Sequence, residues 1–130
     1  MSRLVVISNR IPKDDAPAGG LVFALDELLS KRGGIWIGAD DPSDSRKDGL
    51  KQIGAGAYDR FVFQLSHAEH EKYYHGYANS ALWPTFHSRR DLMRHRADWF
   101  AVYYDVNSRV ASLIANMLKP DDIVWIHDYH

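Results

Sequence analysis

The chain has 130 residues, with 16 Lys and Arg against 17 Asp and Glu, and no Cys. The near balance of charge excludes a global field that would hold nucleic acid or an anionic membrane. The absence of Cys excludes disulfides, thiolate zinc sites, Fe–S clusters and cysteine nucleophiles, and no apolar run approaches the roughly 20 residues that span a bilayer. The composition predicts a cytoplasmic enzyme or binding domain, with no nucleic-acid or membrane partner, that forms one domain or part of one.

The first half of the chain predicts strands on either side of a helix. Residues 4–7 are a β-branched run that is apolar on both faces, which is typical of a strand inside a parallel sheet. A loop rich in Pro, Asp and Gly follows over residues 12–20. Residues 35–37 predict a second strand, and a short strand is expected around Ile53. Between the loop and the second strand, one helical face is formed by Leu21, Leu25, Leu28 and Leu29.

The next segment predicts a strand followed by a helix. Residues 61–65 predict a strand. Ser66 and Glu69 then have the spacing of a capping box, in which each residue satisfies a backbone N–H of the other. A helix is therefore expected over about 67–78, and the Leu-Trp-Pro sequence at 82–84 is expected to break it.

The last segment completes an alternation of strands and helices. A long helix is predicted over 99–118, and residues 123–126 predict a strand that is apolar on both faces. The pattern indicates an α/β fold, a Rossmann-like, mostly parallel sheet flanked by helices. The strands at 4–7 and 123–126 are expected to be parallel neighbours or near-neighbours in the middle of that sheet, because both are apolar on both faces. Arg10 and Asp128 would then lie at the same edge.

Polar residues follow both of these strands directly, where open α/β sheets bind their ligands. Arg10 ends the sequence Ser-Asn-Arg, and its planar guanidinium suits a phosphate or a sugar phosphate. The alternative is that Arg10 pairs with Asp14 or Asp15. At the other strand, hydrogen bonding of Asp128 to a substrate hydroxyl is favoured over a metal site built from the His-Asp-Tyr-His sequence at 127–130.

Gly19 and Gly20 open the first helix. Backbone N–H groups at a helix N-terminus bind anions, and two residues without Cβ allow a ligand to approach closely. The alternative is a simple flexible loop, because a lone Gly pair is not a dinucleotide-binding or P-loop motif.

Two further clusters of histidine and arginine are given structural interpretations. His70 and His75 are separated by five residues rather than the four of a zinc-protease helix, and this spacing is expected to turn the two side chains apart. The basic, aromatic-flanked segment 87–96 is interpreted as a solvated face rather than as a single-stranded nucleic-acid site.

Short motifs along the whole chain resemble the N-terminus of the trehalose-6-phosphate synthase family, and they occur in the family's order. They are residues 2–11, Ala18-Gly19-Gly20-Leu21, Tyr73-Tyr74, Asn79, Leu82-Trp83-Pro84, Phe86-His87, Arg89 and residues 125–130. The resemblance implies a GT-B glycosyltransferase, in which two Rossmann-like domains face a cleft. Residues 1–130 would be an incomplete N-terminal, acceptor-side domain that lacks the C-terminal donor domain. The final strand, which ends close to the last residue, also favours a fragment of a longer protein.

The resemblance further implies the reaction and the residues that serve it. A retaining α,α-trehalose-phosphate synthase moves glucose from a nucleotide-glucose, with UDP-glucose favoured, to glucose 6-phosphate, without a metal or a cofactor. The oligomeric state is left open, a homo-oligomer included. Arg10 and Tyr74 would bind the acceptor phosphate, and Trp83 would wall the acceptor sugar. Asp128 would hydrogen-bond that sugar as the catalytic-site carboxylate, and the donor diphosphate would approach Gly19 and Gly20.

The family is thought to react by front-face attack, with the leaving phosphate assisting deprotonation of the acceptor. Asp128 is therefore not assigned as a nucleophile. One departure concerns Ala39, which stands where the family commonly has a second Trp near the acceptor. Two alternatives remain: a related retaining glycosyltransferase with another acceptor, and a stand-alone sugar-phosphate-binding module.

Overall fold

The computed structural model describes residues 2–13 and 19–130. The chain divides into two compact units. The first contains Met1–Asp40, Asp48–Gln64 and Leu118–Asp128, and the second contains Asp41–Lys47, Leu65–Met117 and Tyr129–His130. The first unit holds every strand among the described residues, and the second holds the helices that follow residue 66.

The first unit is built on a five-stranded sheet in the order β3-β4-β2-β1-β5. β1 pairs in parallel with β2 and β5, β2 pairs in parallel with β4, and only β3 runs antiparallel, against β4. This mostly parallel sheet confirms the predicted fold class, and β3 confirms the short strand expected around Ile53. The strands are β1 Leu4–Ile7, β2 Ile35–Ala39, β3 Leu50–Gly54, β4 Asp59–Phe63 and β5 Ile123–Ile126.

β1 and β5 are parallel neighbours in full register, from Leu4 opposite Ile123 to Ile7 opposite Ile126. The expectation that both strands lie in the middle of the sheet is wrong for β5. It is the outer strand of the described sheet, and its four side chains are 38–68% exposed. The apolar run at 123–126 correctly predicted that β5 pairs with β1. It does not indicate which faces of β5 are covered within this chain.

An ion pair joins the amino ends of the same two strands. Arg3 precedes β1 and donates to both carboxylate oxygens of Asp122, which precedes β5, at 3.0 Å from Nε and 2.6 Å from Nη2. The Ile123 N–H also donates to the Arg3 carbonyl at 2.9 Å. The hydrogen bond from Arg3 holds the pKa of Asp122 below its ordinary value. This bidentate contact helps to fix the register in which β1 and β5 pair.

Helix α1, Gly20–Arg32, packs on this sheet through a narrower stripe than the sequence predicts. Leu21 and Leu28 are exposed, so the expected four-leucine face is wrong at two positions. The residues that α1 buries are Val22, Leu25 and Leu29, which join Leu4, Val6, Ile11, Trp36 and Val62 in one apolar cluster.

The second unit begins with one continuous helical stretch of changing geometry. It consists of α2 (His67–His70), a π-helical segment (Glu71–Leu82) and α3 (Trp83–Phe86). The predicted capping box is present: the Glu69 N–H donates to Ser66 Oγ, and the Ser66 N–H donates to the Glu69 carboxylate. The predicted break at 82–84 is wrong, because Pro84 falls in the first turn of α3, where a missing N–H is tolerated.

Glu69 also ties this stretch to its neighbours in the second unit. Its carboxylate accepts from Arg109 at 2.6 Å and from Arg46 at 2.8 Å. Burial acts to raise the pKa of Glu69, but the hydrogen bonds from Arg109 and Ser66 outweigh it and hold the pKa low. The start of the helix is therefore anchored by charge-assisted hydrogen bonds as well as by its cap.

Helix α4, Ala97–Ala115, packs against the π-helical segment. It buries Val106, Val110 and Ile114, and it ends three residues before the predicted end. Where the two helices meet, a Cβ on Gly76 would lie 2.8 Å from the Trp99 indole ring. Within residues 2–13 and 19–130, no helix combines the length and the apolarity needed to cross a membrane.

We predict that Gly76→Ala destabilises the protein by about 1–3 kcal/mol, because the added methyl group overlaps the Trp99 ring. Chemical denaturation measures the loss. Gly20→Ala is the matched control, since a Cβ there meets nothing within 4 Å. Trp99→Leu in the Gly76→Ala background is expected to recover part of the loss, and an unchanged unfolding midpoint for Gly76→Ala would contradict the close packing.

Candidate functional site

The carboxyl ends of β1 and β5 place the two main site candidates at one edge of the sheet. Arg10 follows β1 by three residues and Asp128 follows β5 by two, and the strands run parallel in register. The predicted common edge for Arg10 and Asp128 is therefore confirmed. Both residues are exposed, so both are open to a ligand from solvent.

The backbone that carries Arg10 is held by a buried hydroxyl. Ser8 is buried, accepts a hydrogen bond from Trp36 Nε1 at 2.8 Å, and donates one to the Arg10 carbonyl. Beyond β1 the chain stays beside β2, because the Ala39 N–H donates to the Asn9 carbonyl at 3.0 Å. The sequence alone did not predict this hydrogen bond, because nothing in it indicates that Ser8 and Trp36 are partners.

Gly38 completes the support for this segment. A Cβ on Gly38 would lie 2.6 Å from Ile11 Cβ, so only glycine lets Ile11 pack here directly after Arg10. Among the described residues, the Arg10 side chain forms no hydrogen bond or ion pair. The alternative pairing with Asp14 or Asp15 concerns positions outside the described residues.

Asp128 has an unusual backbone conformation. Its φ is +68°, a left-handed value that non-glycine residues adopt rarely and aspartate tolerates better than most. The preceding residue is fixed to β1, because the His127 N–H donates to the Ile7 carbonyl at 2.8 Å. The sharp turn after this anchor sets the direction in which Asp128 leaves the sheet, and such strained positions cluster at functional sites.

His127 carries an orphaned polar atom at the same edge. Its Nε2 is buried and has no hydrogen-bond partner among the described residues, and its ring lies 4.2 Å from the Trp125 ring. Burial lowers the pKa of His127, while the charge of Asp128 acts to raise it.

Gly19 and Gly20 form an open entry to α1. Gly19 has φ +90°, a conformation that favours glycine, and a Cβ on either residue would meet nothing within 4 Å. Among the described residues, no side chain caps the helix, and no acid lies in its first turn. The role of this helix start in binding the donor diphosphate stays a prediction.

Tyr74 and Trp83 belong to the second unit, and each ring is stacked. Tyr74 stacks on His70 with 5.0 Å between ring centroids. Trp83 stacks on His87 at 4.2 Å, and His87 Nδ1 lies 2.7 Å from the Trp83 carbonyl oxygen. Both predicted acceptor residues therefore have ordered rings, but their predicted contacts with the acceptor stay predictions.

The expectation that His75 turns away from His70 is wrong. Their ring centroids lie 5.1 Å apart in an edge-to-face arrangement. The reason is the π-helical segment, whose hydrogen bonds join residues five apart and so bring i and i+5 to one face. The α-helical spacing used on the sequence did not apply. In the part of the chain that the structure describes, no group of three or more His, Asp or Glu could hold a metal ion.

The segment 87–96 is exposed throughout, as expected for a solvated face. Arg89 pairs with Asp91 at 2.9 Å and Arg96 pairs with Asp98 at 3.0 Å. Two of its arginines are thus used locally, and the segment presents no continuous cationic groove.

A mostly parallel α/β sheet that carries an arginine and a carboxylate at one carboxyl edge is typical of a Rossmann-like domain that binds its ligand at that edge. The chain matches the model of glycosyltransferase family 20 over residues 4–130, and it belongs to that family.

Relatives and solved structures agree with this assignment. The chain is 42% identical to a trehalose-6-phosphate synthase of Sinorhizobium fredii, over 99% of this chain and 29% of the relative. It superposes with a TM-score of 0.91 and 34% identity on an α,α-trehalose-phosphate synthase (UDP-forming) of Burkholderia vietnamiensis, over all of this chain and 29% of that one. It also superposes with a TM-score of 0.89 and 35% identity on an α,α-trehalose-phosphate synthase (UDP-forming) of Burkholderia xenovorans in complex with glucose 6-phosphate, over 99% of this chain and 28% of that one. The chain thus spans less than a third of the length of these proteins.

We predict that Ser8→Ala destabilises the protein by about 1–3 kcal/mol, because it leaves the buried Trp36 Nε1 without its acceptor. The free energy of unfolding measures this loss. Ser30→Ala, on the exposed face of α1, serves as the control and should change little. Equal stability of the two variants would show that the Ser8 contact does not hold this edge together.

Proposed function

We propose that this chain supplies the acceptor side of an α,α-trehalose-phosphate synthase. The complete enzyme would transfer glucose from a nucleotide-glucose, with UDP-glucose as the favoured donor, to glucose 6-phosphate with retention of configuration. The observation that carries the proposal is the common edge of Arg10 and Asp128 in a chain of glycosyltransferase family 20. A similar protein solved in complex with glucose 6-phosphate supports the choice of acceptor.

Each predicted acceptor residue would have a distinct task. The Arg10 guanidinium has no partner among the described residues, and it would grip two phosphate oxygens through its planar fork. The Asp128 carboxylate would accept a hydrogen bond from a sugar hydroxyl and so orient the acceptor. Tyr74 would add a contact to the phosphate, and Trp83 would cover the sugar ring.

The donor diphosphate would bind at the start of α1. The open N–H groups after Gly19 and Gly20 favour negative charge through the helix dipole. In the front-face reaction, the acceptor hydroxyl oxygen forms the new bond to the donor anomeric carbon while the bond to the diphosphate breaks. The hydroxyl proton passes to the leaving diphosphate. Asp128 positions the acceptor in this scheme and forms no covalent intermediate.

A related retaining glycosyltransferase with another acceptor is the second candidate. Ala39 favours it, because this residue ends β2 beside the segment that carries Arg10. Its side chain is only a methyl group, where the family commonly has a Trp near the acceptor. A panel of sugar phosphates tested with one nucleotide-glucose separates the two candidates. A stand-alone sugar-phosphate-binding module is the third, and it would bind glucose 6-phosphate without any donor dependence.

We predict that residues 1–130 alone do not form trehalose 6-phosphate, because the chain spans about 28% of the length of relatives such as the Klebsiella pneumoniae enzyme. Incubation of the purified chain with UDP-glucose and glucose 6-phosphate checks this, with the full-length protein as the positive control. Product formation by the 130-residue chain would contradict the acceptor-side assignment.

We predict that Arg10→Ala in the full-length protein raises the KM for glucose 6-phosphate about ten- to a hundredfold, with a much smaller effect on the donor. A charge-assisted hydrogen bond contributes about 1.5–3 kcal/mol, which corresponds to that factor. Arg10→Lys is expected to recover only part of the loss, since an ammonium group lacks the planar fork.

The alternative, a structural pair with Asp14 or Asp15, predicts a lower melting temperature with substrate constants little changed. Acceptor and donor constants are therefore measured beside Tm, and Arg32→Ala, an exposed arginine at the end of α1, is the control for loss of a positive charge. Equal losses for both substrates, or a loss of stability alone, would remove Arg10 from the phosphate site.

A further inference from the structure

Three histidine rings surround Tyr74 in the second unit. His70 and His130 stack on it, with centroid distances of 5.0 and 5.4 Å and interplanar angles of 21° and 23°. His75 meets the same ring edge-on at 5.2 Å and 74°. Every ring contact of Tyr74 among the described residues is therefore to a histidine, the side chain whose charge ordinarily changes near neutral pH.

The cluster exists because the helix changes its geometry at this point. His70 ends α2, and Tyr74 and His75 lie in the π-helical segment. The i to i+5 spacing of that segment places His75 against His70, whereas an α-helix would place Tyr74 alone on that face. Extended π-helical geometry is rare and occurs mostly at functional sites.

We propose that His70 and His75 form, together with Tyr74, a phosphate-monoester subsite within the second unit and bind the phosphate in their protonated form. Acceptor binding then takes up protons and becomes tighter as the pH falls through the neutral range. This inference rests on the proposed function, in which Tyr74 contacts the phosphate. An imidazolium donates from both ring nitrogens, and its charge-assisted hydrogen bonds to a dianion are stronger than neutral ones.

The charges around His70 fit a site that gains protons only when an anion arrives. Burial lowers the pKa of His70, and the positive charge of His75 lowers it further. Glu71 and Asp41 act in the opposite direction, and His67 adds a smaller lowering effect. The net effect holds the pKa of His70 below its ordinary value. A bound phosphate raises its pKa, and a proton enters with the ligand.

The packed neighbour α4 carries three charged residues, Asp98, Asp105 and Arg109, of which Asp105 is exposed. Its Arg109 is bound to Glu69 at 2.6 Å, and its Asp98 pairs with Lys72 at 3.6 Å. Tyr103 stacks on the buried Tyr73. Histidine is thus the residue type around Tyr74 whose ordinary pKa lies in the neutral range.

The test compares the full-length protein with a His70→Gln, His75→Asn double variant. The KM for glucose 6-phosphate is measured at about pH 6 and about pH 8.5, on either side of the ordinary histidine pKa. The phosphate's own ionisation affects both proteins equally. The ratio of the KM at high pH to the KM at low pH is expected to be about three- to tenfold larger in the wild type than in the double variant.

Two further variants separate charge from shape. His75→Arg is always charged, so it is expected to keep at the higher pH the low KM that the wild type shows at the lower pH. His95→Gln is the matched control, because the His95 ring contacts Tyr77 rather than Tyr74. It is expected to retain the wild-type pH dependence. Calorimetry in buffers of different ionisation enthalpy should show fewer protons taken up per acceptor in the double variant than in the wild type.

Equal KM ratios in the wild type and the double variant, with unchanged Tm, would overturn the inference. If the double variant loses stability, the single variant His75→Asn is used instead, since His75 is exposed. Failure of the proposed function looks different: the wild type would not use glucose 6-phosphate at any pH, or Arg10→Ala would leave its KM unchanged.

Discussion

The parallel pairing of β1 with β5 is the constraint on which the candidate site depends. Arg10 and Asp128 are 118 positions apart in sequence, and they share an edge only because the two strands run the same way in register. A slip of one residue would turn each side chain of β1 to the opposite face. Such a slip is opposed by the bidentate Arg3–Asp122 pair at the amino ends and by the full burial of Val5 and Val6 on β1.

β2 extends the same constraint to the position of Arg10. The indole N–H of Trp36 fixes Ser8, and Ser8 in turn holds the Arg10 carbonyl. The buried core of the first unit and the exposed guanidinium are thus connected by two hydrogen bonds. A site on the loop after β1 consequently has rigid support, although the arginine itself extends into solvent. In the proposed function, the arginine would bind the phosphate without a further change of the backbone.

Sequence reasoning succeeded where local patterns and sheet geometry coincide. Apolar runs located the strands, the Ser66 and Glu69 spacing located a helix start, and the expected pairing of the first and last strands placed Arg10 and Asp128 at one edge. It failed where tertiary contacts decide. Burial of Val22 in place of Leu21 and Leu28 depends on how α1 packs on the sheet, and exposure of β5 depends on what lies beside it. The π-helical segment has no periodicity that an α-helical template can detect, so the meeting of His70, Tyr74 and His75 was missed.

A crystal structure of the full-length protein with glucose 6-phosphate bound tests the central claim most directly. The account predicts two Arg10 guanidinium nitrogens within hydrogen-bonding distance of the phosphate oxygens, and a sugar hydroxyl donating to the Asp128 carboxylate. An acceptor bound away from the carboxyl edge of β1 and β5, with Arg10 paired to Asp14 or Asp15 instead, would contradict it.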